Sequence, residues 1–136
     1  MNKSLSRILA VVGTALLVSV VVASVASAGY KKGNYLGTTT QGHEISFKAK
    51  KPGVKNFALT VDLDCDDGSK IGFRATQAQA PTNDKGKFTA TFVGDGTTVV
   101  KGKLKRKAAE GTIESDGVND AGSPCFSRVD WSAKRQ

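Results

Sequence analysis

The sequence predicts an all-β fold, and three of its features carry the prediction. Beyond residue 28 the chain is rich in Thr, Val, Phe and Gly and shows no helical periodicity. Turn residues recur about every ten positions, the spacing of short strands in an all-β domain. From Phe57 to Cys65 apolar and polar side chains alternate strictly, which is the signature of a half-buried strand. The expected architecture is a single antiparallel β-sandwich of about eight strands, with an up-and-down β-barrel as the alternative, because a meander serves both.

The first 28 residues read differently. Lys3 and Arg7 form a short basic region, and the stretch from Ile8 to Val25 carries no charge. Ala26-Ser27-Ala28 then places small residues where a signal peptidase reads them, so residues 1–28 are expected to be a secretory signal peptide of a bacterial-type exported protein. The competing reading is an uncleaved membrane anchor, since the apolar stretch is just long enough to cross a bilayer. Removing 28 residues from 136 leaves 108, expected to form one β-domain over 29–136. Without Lys3 and Arg7 the formal net charge falls from +8 to +6. A cation of that size favours anionic surfaces, and it also keeps a small protein soluble.

Strands are expected over 35–40, 43–50, 57–65, 70–76, 86–93, 97–106, 110–115 and 127–133, with longer loops around 77–85 and 116–124. The 35–50 hairpin leaves the parity of its first strand open. Asp67-Gly68-Ser69 suits a three-residue hairpin loop. It would set Leu63 opposite Phe73 and Val61 opposite Ala75 inside, with Asp66 opposite Lys70 and Asp62 opposite Arg74 outside. Gly94-Asp95-Gly96 makes a second hairpin, pairing Phe92 with Thr98, Ala90 with Val100, and Phe88 with Gly102, where the ring covers exposed backbone. A tight turn at Ala108-Ala109 would make a third, with Leu104 meeting Ile113 inside while Lys103 meets Glu114 and Lys107 meets Glu110 outside.

Cys65 shares parity with Phe57, Leu59, Val61 and Leu63. Cys125 shares it with Val129, Trp131 and Ala133. Two cysteines in an oxidising compartment imply one disulfide, here joining two inward faces at the edge of the core. The loop it closes holds about 60 residues, for roughly 4 kcal/mol of chain-entropy stabilisation.

Chemistry is harder to find. The acidic run from Asp62 to Gly68 fails the EF-hand pattern, because Asp67 stands where a Gly is needed and Phe73 where a bidentate Glu is needed. The loop holding Asp116, Asn119 and Asp120 is read as turn chemistry rather than a calcium site. His43 is the single histidine. It lies in the turn Gln41-Gly42-His43-Glu44, with neither a GxSxG nor an HExxH motif in the chain, and one His beside two disulfide-bonded cysteines cannot make a zinc site. No metal and no cofactor is expected, and the reading is that the protein is not an enzyme. Lys101, Lys103, Lys105 and Lys107 form an alternating basic stripe. It reads as a charged face that blocks strand-to-strand association, with contact to a polyanion such as an anionic cell-wall polymer as the alternative. Stacking aromatics beside the stripe are missing, so no specific nucleic acid is expected. No membrane partner is expected after the leader is removed.

The pattern Tyr35-x-Gly37-x-Thr39-x-Gln41-Gly42-x-x-Ile45-x-Phe47, then Cys65, Gly86-Lys87-Phe88, Gly102-Lys103, Gly111-Thr112-Ile113 and Cys125 with Val129-Asp130-Trp131-Ser132-Ala133, resembles a family of small exported bacterial β-proteins of unknown function. The resemblance implies a secreted all-β domain with one disulfide and carries no catalytic signature. The functional expectation is therefore an exported, non-enzymatic β-domain acting as a cell-surface or extracellular binding or structural module. An inhibitor or interaction partner of a secreted protein comes second, and a hydrolase last.

Overall fold

Alternation becomes strand throughout the described part of the chain. The computed structural model describes residues 29–30 and 32–136. The leader expected over 1–28 lies outside the described residues. Eight strands follow in chain order: β1 (Gly33–Thr39), β2 (Glu44–Lys50), β3 (Gly53–Cys65), β4 (Lys70–Pro81), β5 (Lys87–Val93), β6 (Thr97–Leu104), β7 (Ala108–Val118) and β8 (Pro124–Arg135). They form one antiparallel sheet in the order β4-β3-β2-β1-β8-β7-β6-β5. The far end of β3 also pairs with β8, Asp64 with Phe126 and Cys65 with Cys125. That contact closes a small ring of β3, β2, β1 and β8, with β4 on one side and β7, β6 and β5 on the other. The two outer strands β4 and β5 approach through the rings of Phe73 and Phe92, whose centroids lie 6.2 Å apart.

The inward parity is the one the alternation implies. Phe57, Leu59, Val61, Leu63 and Cys65 are buried, and so are Cys125, Val129, Trp131 and Ala133. The parity left open for β1 is resolved by Tyr35 and Thr39, which face in. Aromatic rings fill the centre: Tyr35 stacks on Phe47 at 5.0 Å and Phe47 on Phe57 at 5.2 Å, with Phe88 and Trp131 packed across them. Offset and tilted ring pairs add to the stabilisation from buried area. A Cβ at Gly102 would collide with the rings of Phe88 and Trp131. Only glycine lets Phe88 lie over β6, and the β5–β6 register is the expected one.

Two other registers differ from expectation, each by an even number of residues, so parity survives. In β3–β4 the pairs are Val61 with Phe73, Leu63 with Ile71, Thr60 with Arg74, and Asp64 with Lys70. The loop is longer than three residues because Cys65 is held opposite Cys125 and Asp66 N donates to Pro124 O instead of joining the hairpin. Gly68 takes φ 84° to complete the turn. In β6–β7 the turn is 105–107, not Ala108-Ala109, so Leu104 meets Ala109, Lys103 meets Glu110 and Val100 meets Ile113. Ala109 is buried against Leu104, whereas three consecutive cations belong in solvent.

Several strands outrun their expected limits, and the loops expected around 77–85 and 116–124 shrink accordingly. β3 starts at Gly53 because a bulge shifts register between Val54 and Phe57, with Asn56 at φ 51°. The extra residue turns both Val54 and Phe57 inward.

Candidate functional site

The disulfide joins Cys65 to Cys125 with their Cα atoms 3.9 Å apart, at facing positions on β3 and β8. It ties the two strands at one end of the sheet. Beside it, Asp67 accepts from Ser69 N at 2.9 Å and Ser69 Oγ at 2.6 Å, and Asn119 Nδ2 donates to Asp67 Oδ2 at 2.7 Å. These bonds, led by those from Ser69, hold the Asp67 carboxyl below its ordinary value. Asn119 Oδ1 in turn accepts from Ala121 N and Ser123 N. Asp116 accepts from Thr97 N at 2.7 Å. The segment weighed as a calcium loop thus spends Asp116 and Asn119 on turn chemistry, and among the described residues no cluster of three or more His, Cys, Asp or Glu side chains is placed to hold a metal ion.

The turn 40–43 stands at the same end. His43 Nε2 lies 2.7 Å from Asp62 Oδ2. Because an ionised carboxylate only accepts, this contact puts the proton of neutral His43 on Nε2. Gln41 braces the pair: its Nε2 donates to Asp62 O at 2.8 Å, and Asp62 N donates to its Oε1 at 2.9 Å. Sequence reasoning paired Asp62 with Arg74. The shifted register sets Asp62 opposite Gly72 instead, which frees its carboxylate for His43.

The basic stripe is broken by the corrected turn. Lys101 and Lys103 project from β6, while Lys105 and Lys107 lie in the 105–107 turn with Arg106. Lys103 is flanked by Glu110 on β7 and Lys87 on β5. Lys105 Nζ pairs with Glu110 Oε1 at 2.5 Å, and Glu114 lies 3.6 Å from Arg128 Nε rather than beside Lys103.

A larger pattern emerges once antiparallel strands bring distant turns together. At one end lie the start of β1, the turn between β2 and β3, the loop between β4 and β5, the 105–107 turn and the end of β8. Among the described residues, every Lys and Arg except Lys70, Arg74 and Arg128 falls in that half. Every Asp and Glu except Asp84, Glu110 and Asp130 falls in the other half. The molecule has a basic end and an acidic end, with the disulfide and the His43–Asp62 pair at the acidic one.

The rim of the basic end is laced by backbone hydrogen bonds. Thr82 N donates to Pro52 O, Leu104 N to Gly86 O, Arg135 N to Lys107 O, and Gln136 N to Asn34 O, each at 2.8–2.9 Å. Tyr30 OH lies 3.0 Å from Thr82 Oγ1 on the same rim. The cations therefore stand on a rigid frame. A hydroxyl-lined groove of about 490 Å³ runs along β8 between Thr38, Thr40, Thr112 and Ser132, with Glu110 and Asp130 at its walls. A smaller opening of about 270 Å³ at the acidic end is lined by Leu63, Ile71, Phe73 and Val118. His43 lines neither of these openings.

Comparison with protein-family models, with characterised proteins and with solved structures finds no match to this chain.

Proposed function

We propose that this chain is an exported, non-enzymatic binding module that holds anionic polymers of the cell envelope at its basic end. The segregation of charge carries the reading. A net charge of +6 spread evenly would favour solubility, but here most of the cations lie in the half that ends on one laced rim and most of the acids lie in the other half. Strands of this length separate the two ends by on the order of 30 Å. The Debye length at physiological salt is only about 8 Å. A polyanion at the basic end is therefore attracted by the local cations and is barely repelled by the acids. The leader expected over residues 1–28 and the resemblance to small exported β-proteins support a location outside the cytoplasm.

The test is retention of the leaderless protein on an immobilised poly(glycerol phosphate) matrix over a salt gradient. Retention should fall steeply with salt as counterions compete. The triple variant K105Q/R106Q/K107Q should elute at clearly lower salt. Passage of the parent without retention in low-salt buffer would overturn the proposal.

A second reading, an interaction partner of another secreted protein, is favoured by Phe126 and Val118. Both are more than half exposed on one outer face of the acidic end. The hydrolase reading has the His43–Asp62 pair in its favour, but the partners that brace this pair are Gln41 and backbone groups, not a nucleophile.

A further inference from the structure

We infer that the basic end binds the headgroup plane of an anionic bilayer end-on, with the acidic end pointing away from it. This rests on the polyanion reading and deepens it by naming the source of the charge. It also revises the expectation that the chain has no membrane partner once its leader is gone. A headgroup surface is recognised by charge and needs no apolar span.

The shape of the cation array carries the inference. Going around the rolled sheet, the basic end presents Lys55 on β3, Lys50 on β2, Arg135 on β8, Arg106 in the β6–β7 turn and Lys87 on β5, all exposed. This is a belt around the whole end, not a stripe along one face. A single polymer strand lying on the molecule meets one arc of the belt. A charged plane meets every arc at once.

Three further features fit a plane of lipid headgroups. The rim is tied from turn to turn by the backbone bonds described above, so the belt is preorganised and loses little freedom on contact. Of the exposed large apolar side chains, Val93, Val118 and Phe126 lie toward the acidic end, and Leu36 stands midway along β1, off the basic rim. Contact at the basic end is then electrostatic, without insertion into the acyl region, and reversible by salt. Phe126 is the one exposed aromatic among the described large side chains, and it too is at the acidic end, so the belt lacks a platform for stacking bases.

The experiment is cosedimentation of the leaderless protein with vesicles of phosphatidylcholine alone and with one-third phosphatidylglycerol, in low and raised salt, with soluble poly(glycerol phosphate) as a parallel probe. Two variants neutralise opposite arcs, K50Q/K51Q/K55Q and K105Q/R106Q/K107Q. A third, K70Q/R74Q, removes cations from the acidic end, and thermal melts check that each variant is folded. The parent should bind only the phosphatidylglycerol vesicles and be released by salt. Each arc variant should lose about 100-fold in vesicle affinity, from about five-fold per cation, and K70Q/R74Q should bind as the parent does. Loss confined to one arc, or an equal loss in K70Q/R74Q, would overturn the end-on pose. Binding to the soluble polymer without binding to vesicles would overturn this inference and leave the polyanion reading standing. Binding to neither would overturn both.

Discussion

The two ends of this sheet are made by the same eight strands, yet they are held together in different ways. At the acidic end a disulfide, an Asp67–Ser69–Asn119 network and the Gln41-braced His43–Asp62 pair tie the turns through side chains. At the basic end backbone hydrogen bonds join the turns, with a few side-chain bonds from Thr82, Asn83 and Arg135 beside them, and most of the cations point out. The difference separates stability from recognition. Side chains at one end are committed to contacts within the fold. At the other end most of the described cations, Lys105 and Arg135 excepted, make no contact within the fold, and much of the backbone beneath them is fixed without their help.

Removing the disulfide should break this comparison most severely. The Cys65→Ser, Cys125→Ser double variant returns a 60-residue loop to the unfolded chain's freedom, a loss of about 4 kcal/mol. It also places hydroxyls in an apolar site. Its melting temperature should fall by more than about 10 °C. A fall of a degree or two would show that the β3–β8 contact is held by packing alone.

Asn119→Ala comes next. It deletes the acceptor for Ala121 N and Ser123 N and the donor to Asp67 and Ser69. A cost of about 1–2 kcal/mol is expected, because polar groups lose their partners together. Calorimetry of Asn119→Ala and Asp67→Asn, singly and combined, checks the coupling, and strict additivity would show that the two loops are independent.

The third prediction concerns acid. The Asp67 carboxyl is held below its usual value in the folded state, chiefly by the bonds from Ser69. A depressed folded value means that the stabilisation is present above the ordinary carboxylate range and is lost as pH falls through the folded value. Asp67→Asn should therefore flatten the acid limb of a melting-temperature profile relative to the parent. Superimposable acid limbs would remove Asp67 from the account.

The smallest effect belongs to the other end. K105Q/R106Q/K107Q should leave stability within about 0.5 kcal/mol of the parent, because the Lys105–Glu110 pair it removes is solvent-exposed and such pairs contribute little. In low salt it should melt slightly higher than the parent, as like charges no longer repel, and the difference should vanish as salt is added. A large destabilisation would mean that the basic end, too, is held by its side chains.

Much of the interior is legible residue by residue. Phe57, Leu59, Val61 and Leu63 face in because a strand has period two and one face must be buried. The β5–β6 register is legible because Gly102 is the one position where the Phe88 ring can lie over the strand. The β3–β4 and β6–β7 registers are not. A slip of two or four residues keeps every apolar side chain inside, so parity cannot choose among the even registers. In one case the choice is made by Cys125 on a distant strand, and in the other by the depth at which Ala109 is buried against Leu104.

By itself the sequence settled the all-β class, the inward faces of the strands other than β1 and the pairing of Cys65 with Cys125, because periodicity and cysteine count are local or combinatorial properties of a chain. It could show Lys101 to Lys107 only as a local stripe. Only the tertiary structure decided that Lys50, Lys55, Lys87, Arg106 and Arg135 share one end and that the acids gather at the other. Antiparallel strands return the chain to the same end every second turn, so charges far apart in sequence become neighbours only when the sheet has rolled up.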